Sequence, residues 1–123
     1  MTFITQHPLR GVGAGGFVPT LVERLPTLTP EPVHNVPLLA AAETGVGGGL
    51  AVVALEICVV WQAWRRRGRA RFAVTPAILS AVVIGLMVIA AFDHFLWSVS
   101  AGRLLAAVVI GVWAGADELH PRD

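Results

Sequence analysis

A histidine and an asparagine, His34-Asn35, stand directly before an apolar stretch that begins at Val36. A helix starting there has unpaired N–H groups in its first turn and a dipole that favours negative charge. Together these make a place for a phosphate or pyrophosphate group. His34 adds a ring that exchanges a proton near neutral pH, as a general base or as a phosphate contact. The plainer alternative is that Asn35 only caps the helix and His34 is a solvated residue at its start. Spacing alone leaves both readings open.

Other polar residues are weighed the same way. Glu43 is a tempting partner for His34, but nine residues of continuous helix turn through about 900°, which puts it on the opposite face. A structural or interfacial role is the expectation for Glu43. Glu56 falls near the middle of an apolar stretch, where a carboxylate is costly and usually faces other protein. A buried polar contact or proton site is one reading of Glu56; a neutral or paired residue facing another helix is preferred. Asp93-His94 form a second polar site on the same side as His34, or mark a helix end. His7, His34 and His94 lack metal-ligand spacing, so no metal is expected. His120 looks incidental. Gly45-Val46-Gly47-Gly48-Gly49 has no following lysine and apolar surroundings, which suits close helix packing rather than nucleotide binding.

The elements that must carry these residues read as membrane helices. The 123 residues are 55% hydrophobic and 14% charged, with mean hydropathy +0.71, against roughly a quarter charged in soluble domains. Residues 1–37 hold five prolines between 19 and 37 and read as loop. A helix is expected from about Val36 to Trp64, with Asn35 as N-cap and Pro37 in its first turn. At 1.5 Å per residue it would be about 43 Å long, beyond the ~30 Å hydrocarbon core. Either its first turns stand clear or it bends at the glycines. Further spans follow at 73–92 and, more weakly, at 100–116, where Arg103 can snorkel to the interface.

All nine basic residues are arginines, and five of them (Arg65, Arg66, Arg67, Arg69 and Arg71) lie between two apolar stretches. That position reads as a cytoplasmic topology signal rather than a nucleic-acid patch. The expected fold class is all-α: about three transmembrane helices preceded by an extracytoplasmic loop. The order is loop 1–37, span 38–64, cytoplasmic loop 65–72, span 73–92, outer segment 93–99, span 100–116 and cytoplasmic tail 117–123. Cys58, the single cysteine, excludes a disulfide within the chain. A long N-terminal loop outside, with no helix before it, suggests the C-terminal piece of something larger.

The pattern His34-Asn35-x-x-Leu38, with Glu43-Thr44-Gly45 following and then a glycine-studded apolar helix, resembles the O-antigen ligase/polymerase family. The segment from His7-Pro8-Leu9-Arg10-Gly11-Val12-Gly13 to Phe17 is similar to the part of that family preceding its large periplasmic loop. Asp93-His94-Phe95-Leu96-Trp97 with Gly102-Arg103-Leu104-Leu105 is similar to the stretch before the last helix of many members. The resemblance implies a metal-independent membrane glycosyltransferase that needs no cofactor. Such enzymes move a glycan from a polyprenyl-pyrophosphate carrier to an acceptor hydroxyl, at the outer face of the bacterial inner membrane.

By position, His34 matches the functional histidine of the periplasmic loop, with Asn35 beside it as a substrate contact. The family also uses arginines to hold pyrophosphate; Arg10 and Arg24 are the candidates here, although neither sits in a matching motif. Members have about ten or more spans, so this chain would depend on upstream helices of a larger parent. The alternative function is a small non-enzymatic membrane protein that packs into a larger helical complex.

Overall fold

The computed structural model describes residues 2–26, 30–67 and 74–115, and these are helical with no strand among them. Among the described residues seven helices follow in order: α1 (Thr2–Gln6), α2 (Phe17–Arg24), α3 (Val36–Thr44), α4 (Val46–Arg67), α5 (Val74–Phe92), α6 (Phe95–Ser98) and α7 (Ser100–Gly115). Residues 68–73, with Arg69 and Arg71 of the arginine run, and the tail from 116 lie outside the described residues.

The single helix expected over 36–64 is two helices. α3 starts as anticipated: Asn35 is extended, and its Oδ1 accepts the Leu38 N–H at 2.9 Å. Nine residues later Gly45 takes φ +88° and ψ 173°, a region open essentially to glycine, and the chain reverses. α4 then packs back along α3. A Cβ on Gly49 would lie 2.6 Å from the Ala41 Cβ and 2.9 Å from the Pro37 carbonyl oxygen. Small residues on both sides, Ala41 and Gly49, permit that approach. The glycines thus do both things the sequence allowed, a break at Gly45 and a packing surface after it.

Behind this hairpin, α4, α5 and α7 form an antiparallel bundle. Near one end Val36, Leu86, Ala90 and Leu96 are buried together, with Val52 and Ala106 against them. Toward the other end Val59, Ala63, Val83 and Trp113 make a second cluster. Trp113 donates its indole N–H to Ser80 Oγ at 3.0 Å, which satisfies the one polar atom of a nearly fully buried ring.

Loop alone was expected over 1–37, yet two short helices form there. Pro19 sits in the first turn of α2, where a missing N–H costs little. Phe3 and Phe17 pack edge to face at 5.3 Å and share a buried cluster with Leu39 and Ala42 of α3. This layer covers the end of the bundle where α5 meets α7.

Much apolar surface remains uncovered. Leu50, Ile57, Trp61 and Trp64 of α4, Phe92 of α5 and Leu104 of α7 are each more than 60% exposed. Patches this large mark contact with lipid or with other protein. Val46–Arg65 is long and apolar enough to cross a membrane, while Ala77–Phe92 and Ser100–Gly115 are shorter apolar helices.

Candidate functional site

The polar residues of interest gather at the covered end of the bundle, and the backbone holds them there. Residues 8–13 wrap the α3–α4 joint. The Val12 N–H donates to the Ala42 carbonyl at 3.0 Å, the Gly13 N–H to the Glu43 carbonyl at 2.8 Å, and the Val46 N–H to the Pro8 carbonyl at 2.8 Å. Gly11, at φ +62°, lies against the Glu43 carbonyl so closely that a side chain has no room. Segments 7–17 and 34–45 are therefore bonded to one another.

Glu43 stands at the centre of this joint and is 6% exposed. Its Oε2 accepts the Trp97 indole N–H at 2.9 Å, and its Oε1 accepts the Phe17 N–H at 3.4 Å. Phe17 opens α2, whose N-cap, Gly16, has no side chain to offer. Glu43 supplies that missing partner from another helix, at the end where the dipole favours a carboxylate. Arg103 approaches Trp97 from the other side. One guanidinium nitrogen donates to the Trp97 carbonyl at 2.9 Å and another to Ser100 Oγ at 3.2 Å. Between them lies a cavity of about 220 Å³ whose polar wall is Glu43, Ser98 and Arg103.

A second polar cluster sits at the start of α3. Asn35 Nδ2 donates to the Ala91 carbonyl at 2.9 Å, so one side chain both caps α3 and ties it to the last turn of α5. His34 is exposed, and its ring centroid lies 5.1 Å from that of His94, with the planes inclined by 56°. His94 Nδ1 is buried without a hydrogen-bond partner. Asp93 Oδ1 accepts the Phe95 N–H at 2.7 Å, an i to i+2 turn that leads into α6. Among the described residues no group of three His, Cys, Asp or Glu is placed to hold a metal ion.

His34, Asn35 and His94 thus come together from positions far apart in sequence, with Asp93 next along the chain. The two arginines expected to bind substrate do not join them. Arg24 donates to Gln6 Oε1 at 2.6 Å and lies 4.8 Å over the Phe3 ring, clamping α1 to α2. Arg10 is exposed on the wrapping segment, with no hydrogen bond or ion pair among the described residues. Sequence reasoning did not single out the link from Glu43 through Trp97 to Arg103. Glu43 and Trp97 are 54 residues apart, and no local pattern joins them.

Glu56 lines an open groove on α4 with Ile57, Val60, Trp61 and Trp64, facing Met87 of α5. No family model, curated protein or solved structure matches this chain.

Proposed function

We propose that this chain is the C-terminal membrane part of a glycosyltransferase similar to O-antigen ligases and polymerases, with its reaction centre at the covered end of the bundle. One observation carries the reading. The three segments that bear the resemblance (7–17, 34–45 and 93–103) are distant in sequence, yet they are hydrogen-bonded to one another around one cavity. They also share an end of the helices, opposite to the arginine run. Under the rule that positive loops stay inside, that end faces outward and the chain crosses a bacterial inner membrane several times.

In the reaction an acceptor hydroxyl attacks the donor sugar at C1. The new C1–O bond forms as the bond from C1 to the pyrophosphate oxygen breaks, and the carrier leaves with the electron pair. The hydroxyl proton must go elsewhere; in this reading the His34 ring, which is exposed, takes it or hydrogen-bonds the phosphate. Its neighbour Asn35 holds the start of α3 against the last turn of α5, and its amide retains a second N–H for a substrate contact.

The test is glycan transfer from a polyprenyl-pyrophosphate-linked donor in native membranes. His34→Ala, matched to wild type in expression and insertion, is expected to lower the rate by about 10²–10⁴-fold. Transfer at near wild-type rate removes the catalytic role.

A second reading is favoured by the Glu56 groove. A carboxylate set among exposed apolar side chains on a bilayer-length helix suits a protein whose task is to pack into a larger helical complex.

A further inference from the structure

We infer that the cavity between Glu43, Trp97 and Arg103 is a binding subsite for one neutral sugar ring. For the identity of its ligand, the inference rests on the glycan-transfer reading above.

Size and chemistry both point this way. At about 220 Å³ the cavity falls below the roughly 300–1,000 Å³ of sites for drug-sized ligands, so it takes one ring rather than a chain. Its apolar side is Val18, Pro32 and Leu39, together with the Trp97 indole. Its polar side has unspent capacity. A carboxylate accepts up to about four hydrogen bonds and Glu43 uses two; a guanidinium offers five N–H donors, and two Arg103 nitrogens are engaged.

A ring hydroxyl both donates and accepts, so neighbouring hydroxyls can satisfy the carboxylate and the guanidinium together. The C–H face of the ring then meets the apolar wall. A phosphate matches Arg103 but presents acceptor oxygens to Glu43, whose own two oxygens already act as acceptors, whereas a ring hydroxyl can donate to them. The pyrophosphate belongs elsewhere; this pocket suits an uncharged polyol.

The position fits a subsite as well. Glu43 and Asn35 lie on the same helix, eight residues or about 12 Å apart along its axis. That separation lets a glycan reach from the His34 cluster to the cavity through one or two intervening sugar units. The cavity walls are held by hydrogen bonds from three segments, so the site is formed before any ligand arrives.

The experiment uses the full chain in nanodiscs, with saturation-transfer NMR on glucose, galactose and N-acetylglucosamine at millimolar concentration. At least one of these sugars is expected to receive saturation at its ring protons. Ser98→Phe, which fills the cavity from an exposed position and removes no hydrogen bond, is expected to weaken that binding at least tenfold. Arg103→Leu is expected to do the same, with Arg103→Lys between it and wild type.

Absence of saturation transfer for all three sugars overturns the subsite, as does binding indifferent to Ser98→Phe. Displacement of the sugar by equimolar inorganic phosphate or phosphoethanolamine overturns it too, since either assigns the cavity to a charged headgroup. The outcome is separable from the parent reading. His34-dependent transfer without sugar binding rejects the subsite alone, and sugar binding with His34-independent transfer rejects the catalytic assignment alone.

Discussion

Replacing Gly45 by alanine tests the reversal on which the whole outer layer depends. Two penalties act at this position. The φ of +88° with ψ of 173° is a glycine-only conformation, and forcing another residue into it costs about 1–3 kcal/mol. The new Cβ would also lie 2.5 Å from the Leu9 carbonyl oxygen, 2.6 Å from its carbon and 2.9 Å from the Pro8 oxygen. These are backbone atoms that cannot rotate aside, so overpacking adds about 1–3 kcal/mol. Together about 2–6 kcal/mol, they change the folding equilibrium at least about 30-fold, or on the order of 10 °C in Tm. Gly47→Ala is the control: nothing lies within 4 Å of a Cβ there, and alanine in a helix gains up to about 1 kcal/mol over glycine. Thermal unfolding in one detergent, followed by circular dichroism and by limited proteolysis at 2–26, measures both variants. A Gly45→Ala protein within about 0.5 kcal/mol of wild type, with that segment equally protected, would refute the reversal.

Asn35→Ala is expected to cost about 2–3 kcal/mol, the cap plus the lost bond to the Ala91 carbonyl, whereas Asn35→Ser keeps a cap and should lose about half as much. Equal Tm values for the two variants in detergent would reject the double role. In a Cys58→Ser background, Leu9→Cys, at a position 90% exposed, is expected to react with an impermeant thiol reagent on intact cells while Gly68→Cys does not. The reverse pattern inverts the topology. The purified chain is expected to oligomerise in mild detergent, and Glu56→Leu to weaken that association about 5- to 30-fold, corresponding to about 1–2 kcal/mol per polar contact between membrane helices. Analytical ultracentrifugation decides; a monodisperse monomer counts against any partner at the Glu56 groove.

What was legible in the sequence was local. The Asn35 cap with Pro37 behind it, the start of α5 beside Pro76, and the extents of α5 and α7 follow from side chains acting within a turn of themselves. The glycine run was ambiguous because the same residue serves two ends. Gly49 lets a neighbouring helix approach and Gly45 lets the chain turn, and composition does not separate them. α2 was hidden by prolines that count against a helix only beyond its first turn. The site divided in the same way. His34 and Asn35 were found because a helix start announces itself, whereas the Glu43–Trp97 bond spans most of the chain and depends on how two hairpins dock. Arg24 and Arg10 share a charge and a side of the membrane in the sequence, and nothing there reveals that one is engaged by Phe3 and Gln6.

The wrap of residues 8–13 around the α3–α4 joint is made by main-chain atoms, and that sets where substitutions are tolerated. Val12, Gly13 and Pro8 contribute N–H and C=O groups that every replacement retains, proline at a donor position apart. A saturation scan would therefore find Leu9 and Arg10 permissive for stability, and intolerance concentrated at Gly11 and Gly45, where geometry rather than chemistry is being selected. The two permissive positions are carried outward on a support that does not depend on their identity.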